Sequence, residues 1–274
     1  MTRTIPSLAA LTLSLSALFC GSAGAADRPA AATVMLLAGQ ANASDSQTMA
    51  MRVLAKGDSL YPGEVISSGA NTYVNLRFQD GGFILLRPNT RFVIEEFAAE
   101  PATIAAAAEP AKAAAPKAEA TPPPLRPIPG AQTNTSPVST AQRAVFRLLK
   151  GGFRAVSGLI GKADPAEYRV NTPVATIGIR GTDYWVVYCD AACAADNALK
   201  DGLPEGASGL NGVIMGVIGG GIFTTNNAGL TVGVNVAQYL ITLPDGRQIY
   251  LPVPPEFLRL DPIPDPTTIC DTDS

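Results

Sequence analysis

Residues 34–97 repeat one unit, a short run of alternating apolar and polar positions followed by a turn. Val74, Leu76 and Phe78 alternate with Tyr73, Asn75 and Arg77, so a strand there has one apolar and one polar face. Asp80-Gly81-Gly82 turns the chain into residues 83–86, and Pro88-Asn89-Thr90 turns it again before residues 92–97. The pattern resumes at residue 143 and reaches the Lys150-Gly151-Gly152 turn. Helix periodicity can be drawn over 141–149, but the glycines that follow stop it. Further on, Thr182, Tyr184, Val186 and Tyr188 alternate with Asp183, Trp185 and Val187, a half-buried strand ending at Cys189. Residues 213–218 are apolar, Gly219-Gly220-Gly221 bends the chain, and segments at 230–241 and 248–253 complete a β-rich meander.

Short strands divided by glycine and proline predict an all-β fold, drawn as a β-solenoid or β-roll. The expected core draws on Val74, Leu76, Phe78, Ile84, Phe92, Ile94, Val170, Ile177, Trp185 and Val187. Between 98 and 142 the alternation disappears. That stretch is alanine and proline with almost no large apolar residue, and it cannot bury enough surface to offset its conformational entropy. It is read as a disordered Ala/Pro-rich insert between two halves of one domain, 34–97 and 143–190. A β-rich extension at 205–255 follows. The tail at 256–274, rich in Pro and Asp, is expected to wrap over the domain or stay mobile.

The amino terminus changes the picture. Arg3, an uncharged apolar run at 8–19 and the small residues Ala23-Gly24-Ala25 read as a secretory signal over residues 1–25. The run is too short to span a bilayer, which takes about 20 residues. A lipoprotein reading through Cys20 is disfavoured by the bulk of Phe19 before it. The expectation is a periplasmic or secreted protein with no transmembrane segment in its mature form.

Charge and composition then remove whole classes of chemistry. A net charge of −3 carries no basic footprint for nucleic acid. The 274 residues contain no histidine, which excludes Ser-His-Asp and Cys-His catalysis and histidine metal sites. Cys189 and Cys193 are spaced for a short loop disulfide; a metal site would need a fourth ligand that the sequence does not offer. Cys270 can be free, paired with one of them or intermolecular. Gly161-Lys162 fails as a phosphate loop, since Val156 and Ala163 stand where Gly and Ser or Thr are needed. Glu95 and Glu96, adjacent in a strand, should point to opposite faces and so make no acid/base pair. The acidic tail lacks the spacing of a calcium loop. No cofactor is expected.

One constellation stands out: Gly178-Ile179-Arg180-Gly181-Thr182-Asp183 sets an arginine between two glycines amid β-branched residues. Glycine permits a positive φ or close backbone approach, so Arg180 should sit at a bulge or tight bend. Two roles are open to it. It can satisfy Asp183, Asp80 or turn carbonyls, the preferred reading, in which case Arg180→Ala destabilises the fold; or it can offer a planar donor fork to a carboxylate-bearing ligand or partner. Asp80, before two glycines, is likewise read first as a turn residue.

The stretch at 172–184 resembles the signature of the FecR-domain family of bacterial envelope proteins. Lys56-Gly57-Asp58-Ser59-Leu60, Asn75-Leu76-Arg77-Phe78-Gln79-Asp80-Gly81-Gly82 and Leu86-Arg87-Pro88-Asn89-Thr90 resemble its earlier half, in order. The resemblance implies a domain outside the inner membrane that couples an outer-membrane receptor to gene regulation. Lacking a cytoplasmic regulatory segment and an internal spanning helix, the chain looks more like the stand-alone secreted members. The function expected is therefore a non-catalytic binding or signalling module recognising an envelope protein or ligand. The second class is a structural or adhesive envelope protein that binds polysaccharide or peptidoglycan.

Overall fold

Alternation builds strands, and in the computed structural model, which describes residues 28–99, 142–260 and 262–269, those strands join into one curled, half-barrel sheet. The first half of the chain supplies β1 (Ala32–Ala38), β2 (Ala41–Asp45), β3 (Met51–Val53), β4 (Ser59–Leu60), β5 (Glu64–Ser68), β6 (Tyr73–Phe78), β7 (Phe83–Leu86) and β8 (Arg91–Ala98). The second half adds β9 (Arg143–Lys150), β10 (Gly152–Val156), helix α1 (Leu159–Ala163), β11 (Tyr168–Asn171) and the long β12 (Ala175–Tyr188). Beyond the disulfide loop, with its short helices α2 (Ala191–Ala194) and α3 (Asn197–Gly202), come β13 (Val213–Asn226), β14 (Thr231–Asn235), β15 (Tyr239–Thr242), β16 (Gln248–Leu251) and helix α4 (Glu256–Leu260).

The all-β expectation describes the structure; the solenoid or roll does not. Coils of a solenoid stack in parallel, one after the next. Here the order is β3-β2-β5-β8-β9-β11-β12-β10-β7-β6-β1-β4, and its neighbours are antiparallel except for β9 beside β11. Strands of the two halves interlock, because β8 pairs with β9 and β7 with β10. The helix periodicity over 141–149 gives way to β9, whose Val145, Phe146 and Leu148 lie buried in the sheet. Ala98 is in register with Arg143, so the ends of the intervening stretch are held side by side. The proposed insert between them falls mostly outside the described residues, as do the signal sequence, Cys20 and Cys270.

The concave side of the sheet closes on a chain of rings. Phe78 packs on Phe97 and Phe146 at centroid distances of 5.2 and 5.1 Å, Phe146 on Phe92 at 5.4 Å, and Phe92 on Phe153 at 5.5 Å. Phe153 meets Tyr184 at 5.9 Å. Tyr184 and Tyr168 share a buried hydroxyl hydrogen bond of 3.0 Å, which gives each phenol oxygen a partner. All ten expected core residues are buried.

Trp185 and Val187 belong to a different core. They lie on the opposite face with Leu85, Ile214, Ile241, Leu251 and Leu258, where α3, α4 and the tail cover the sheet. That cover explains why β12 is apolar on both faces beyond Asp183. It also explains Asn75, buried on the nominally polar face of β6, whose amide donates to the Pro266 carbonyl at 2.9 Å.

Alternation breaks wherever the ladder takes an extra residue. In β8 a bulge between Ile94 and Glu96 leaves Phe92, Ile94 and Phe97 all facing the same core. Glu95 and Glu96 therefore do not take opposite faces. Both stay out of the core, where Glu95 pairs with Arg147 and Glu96 with Arg143.

Candidate functional site

The signature forms a second bulge, at the point where β12 changes partners. Residues 176–178 pair with β11, and residues 183–187 pair with β10. Between them the register of β12 on β13 shifts, and Gly181 takes a φ of +57°, a conformation that glycine adopts without steric cost. The extra residue resets the alternation: Ile177 and Ile179 face the inner core before it, Tyr184 and Val186 after it. Thr182 holds the bulge closed. Its hydroxyl accepts from the Arg180 amide at 3.1 Å and donates to the Gly221 carbonyl at 2.7 Å, while its own amide donates to Ser157 Oγ at 2.9 Å. On β13, Gly220 answers with a φ of +79°, and a Cβ built there would lie 2.3 Å from the Gly181 carbonyl oxygen.

The fold brings the Asp80 turn to the same place. Gly158, next to Ser157, sits so close that a Cβ on it would stand 2.3 Å from Asp80 Cγ. Asp80 accepts from the Gly82 amide at 3.0 Å and the Ile160 amide at 3.4 Å, and its carbonyl accepts from Leu159 at 2.9 Å. Its side chain ties the β6–β7 turn to α1. Gly161 of α1 packs on Ile179, and Lys162 lies near Gly181. Asp80, though beside a groove of about 560 Å³ lined by Met35, Arg77, Leu159 and Lys162, is only 4% exposed.

Burial pushes the Asp80 carboxyl above the usual Asp range, against the downward pull of the Gly82 and Ile160 amides and of Lys162. The folded state then holds this proton more tightly than the unfolded chain, whose Asp titrates near 3.8. The stabilisation this gives is present below that value and is lost as pH rises through the folded one. Asp80→Asn removes the titration. Its thermal midpoint should gain on that of the parent as pH rises from about 4; parallel pH profiles for the two proteins would overturn the assignment.

Asp183 and Arg180 do not meet in an ion pair. Asp183 is taken by Arg154 of β10, through Nε at 2.9 Å and Nη2 at 2.7 Å. The same guanidinium reaches the Ile263 carbonyl at 3.2 Å and Asp265 at 3.4 Å, which anchors the tail. Arg180 instead points away from the inner core, exposed, and among the described residues its guanidinium has no hydrogen bond or ion pair. The preferred reading, that Arg180 satisfies local acids or carbonyls, is thus corrected: the one group it fixes is its own amide, on Thr182.

Arg180 shares the outer face of β12 with Gly178 and Thr176. In register across the sheet run Arg169, Gly178, Phe223 and Gly233, on β11, β12, β13 and β14. Among the described residues nothing lies within 4 Å of a Cβ placed on Gly178 or Gly233, so the glycines leave open space on both sides of Phe223. The result is a shallow depression of about 520 Å³ floored by Gly178 and bordered by Arg169, Thr176, Phe223 and Thr225. Sequence reasoning singled out Gly178 and Arg180 but missed Arg169 and Phe223, which come beside them only through strand register. No group of three or more His, Cys, Asp or Glu able to hold a metal occurs among the described residues.

Cys189 and Cys193 form a disulfide with a Cα–Cα distance of 5.2 Å, buried in the outer core. No described helix is long and apolar enough to cross a membrane. The chain matches no protein-family model, and no curated protein matches it. Two crystal structures of a candidate anti-sigma factor from Parabacteroides distasonis superpose on it with TM-scores of 0.38 and 0.36, each at 10% identity. The superposition covers 68% of this chain and 58% of each of those chains.

Proposed function

We propose that the protein is an exported, non-catalytic binding module of the FecR-like kind, which recognises an envelope protein or ligand through the outer face of the signature strand. The observation that carries this reading is Arg180. A guanidinium held on a braced bulge, exposed and without an acidic partner among the described residues, is a donor fork left for something outside the chain. The order of the four sequence blocks supports the FecR-like assignment, and the amino-terminal signal pattern supports export. A binding role also suits a chain without histidine.

Arg180→Ala should change stability by less than about 0.5 kcal/mol, as is usual for a surface substitution without partners. The check is to immobilise the protein, expose it to an envelope extract from its own host, and identify what is retained by parent and variant. Retention of a receptor or membrane regulator by the parent, and its loss with Arg180→Ala at an unchanged thermal midpoint, is the expected result. Equal retention by both, or a variant that unfolds early, would sink the reading.

A further inference from the structure

The depression over Gly178 has a chemistry more specific than a generic docking surface. Its one broadly exposed apolar side chain is an aromatic ring, Phe223, 41% exposed, with Pro165, Ala166, Tyr168 and Ile179 lining the deeper part. Around that ring the same face also presents polar groups. It offers glycine backbone on both sides, the hydroxyls of Thr176, Thr225 and Thr231 in the next register row, and two guanidiniums. Thr225 and Thr231 hydroxyls already bond each other at 2.8 Å, so they stand as a row across the sheet.

Charge complementarity narrows the ligand. The chain is net acidic, yet among the described residues no carboxylate lines this depression. Glu167, the acid next to it in sequence, lies 3.7 Å from Arg143 instead. Arg169 bonds only the Ala166 carbonyl, through Nε, among the described residues, so its outer fork is open like that of Arg180. An open aromatic face suits the C–H face of a pyranose ring, threonine hydroxyls suit its hydroxyls, and an arginine fork suits a carboxylate. Residues two apart on a strand are separated by about 6.7 Å, and adjacent strands by about 4.8 Å, so Arg180 and Arg169 are rooted about 8 and about 10 Å from Phe223, both on its β12 side and within a side chain's reach of one sugar unit on the ring.

We propose that this face binds a carboxylated polysaccharide, with one uronic acid ring on Phe223 over the Gly178 floor and its carboxylate held by Arg180 together with Arg169. The proposal rests on the binding reading above and supplies the ligand class for the same site.

The test is calorimetric titration of the protein with a galacturonic acid hexasaccharide, set against the neutral galactose hexasaccharide and hexaglutamate. Binding of the uronide is expected, with the neutral sugar and the peptide each at least tenfold weaker. Phe223→Ala and Arg180→Ala should each weaken uronide binding at least tenfold, whereas Phe223→Trp, which keeps an aromatic face, should retain it. No uronide binding, or binding that hexaglutamate matches and Phe223→Ala leaves unchanged, overturns the proposal. Failure here alongside Arg180-dependent retention of an envelope protein would leave the broader binding reading standing. Phe223-dependent uronide binding with no protein retained would keep the glycan site and remove the protein partner.

Discussion

Gly220→Ala should be among the most damaging single-methyl additions in this protein. The methyl would stand 2.3 Å from the Gly181 carbonyl oxygen and 3.0 Å from that of Arg180, both backbone atoms that cannot rotate away. Alanine would also have to hold a φ of +79°. The conformational term is on the order of 1–2 kcal/mol, and forcing atoms into a packed site adds about 1–3 kcal/mol. The expected loss is therefore about 2–5 kcal/mol in chemical denaturation. Gly181→Ala isolates the first term: its φ is +57°, but the nearest atom to its Cβ is Lys162 Cγ at 3.9 Å, the flexible side of a surface chain. It should cost about 1–2 kcal/mol. Gly178→Ala carries neither burden and should fall within about 0.5 kcal/mol of the parent. Three glycines of one motif thus give a graded series, and equal effects from all three would refute the paired-bulge account.

The bulges also explain what the sequence could show and what it could not. Alternation correctly placed β6, β7, β8 and most of β12, since period-2 burial is a local property. It misplaced Glu95 and Glu96, because one inserted residue flips the faces of everything after it. It treated Trp185 and Val187 as companions of Ile177, though a bulge and a second core lie between them. The turns at Asp80-Gly81-Gly82, Pro88-Asn89-Thr90 and Lys150-Gly151-Gly152 were legible, whereas Gly219-Gly220-Gly221 lies inside β13, and the strand order was not legible: β9 and β10 enter beside β8 and β7 through pairings between residues more than 40 apart. The candidate site suffered from the same blindness. Gly178 and Arg180 announced themselves through an unusual local sequence, whereas Phe223 and Arg169 are ordinary residues in their own segments and become part of the site only by register. Arg180 was given Asp183 as a partner because the two are neighbours in sequence. The partner in the fold, Arg154, lies 29 residues upstream and reaches Asp183 because Val156 pairs with it across the ladder.

Arg154→Ala should therefore do the damage that sequence proximity assigned to Arg180. The Arg154 side chain is 11% exposed, and its guanidinium makes two bonds to Asp183, one to the Ile263 carbonyl and an ion pair with Asp265. Truncation leaves Asp183, itself 21% exposed, without its counter-charge and releases the tail from the outer core. Removing one partner of a fully buried pair costs about 3–5 kcal/mol; partial access of water to Asp183 reduces the expectation to about 2–4 kcal/mol. Lysine keeps the charge without the planar fork, so Arg154→Lys should recover only part of the loss. Asp183→Ala in the Arg154→Ala background decides the cause. If the damage comes from a stranded carboxylate, the double variant should be no less stable than Arg154→Ala alone, with a coupling energy of about 1–3 kcal/mol. Additive losses would mean that Arg154 acts through the tail, and limited proteolysis at residues 262–269 would then increase in Arg154→Ala but not in Asp183→Ala.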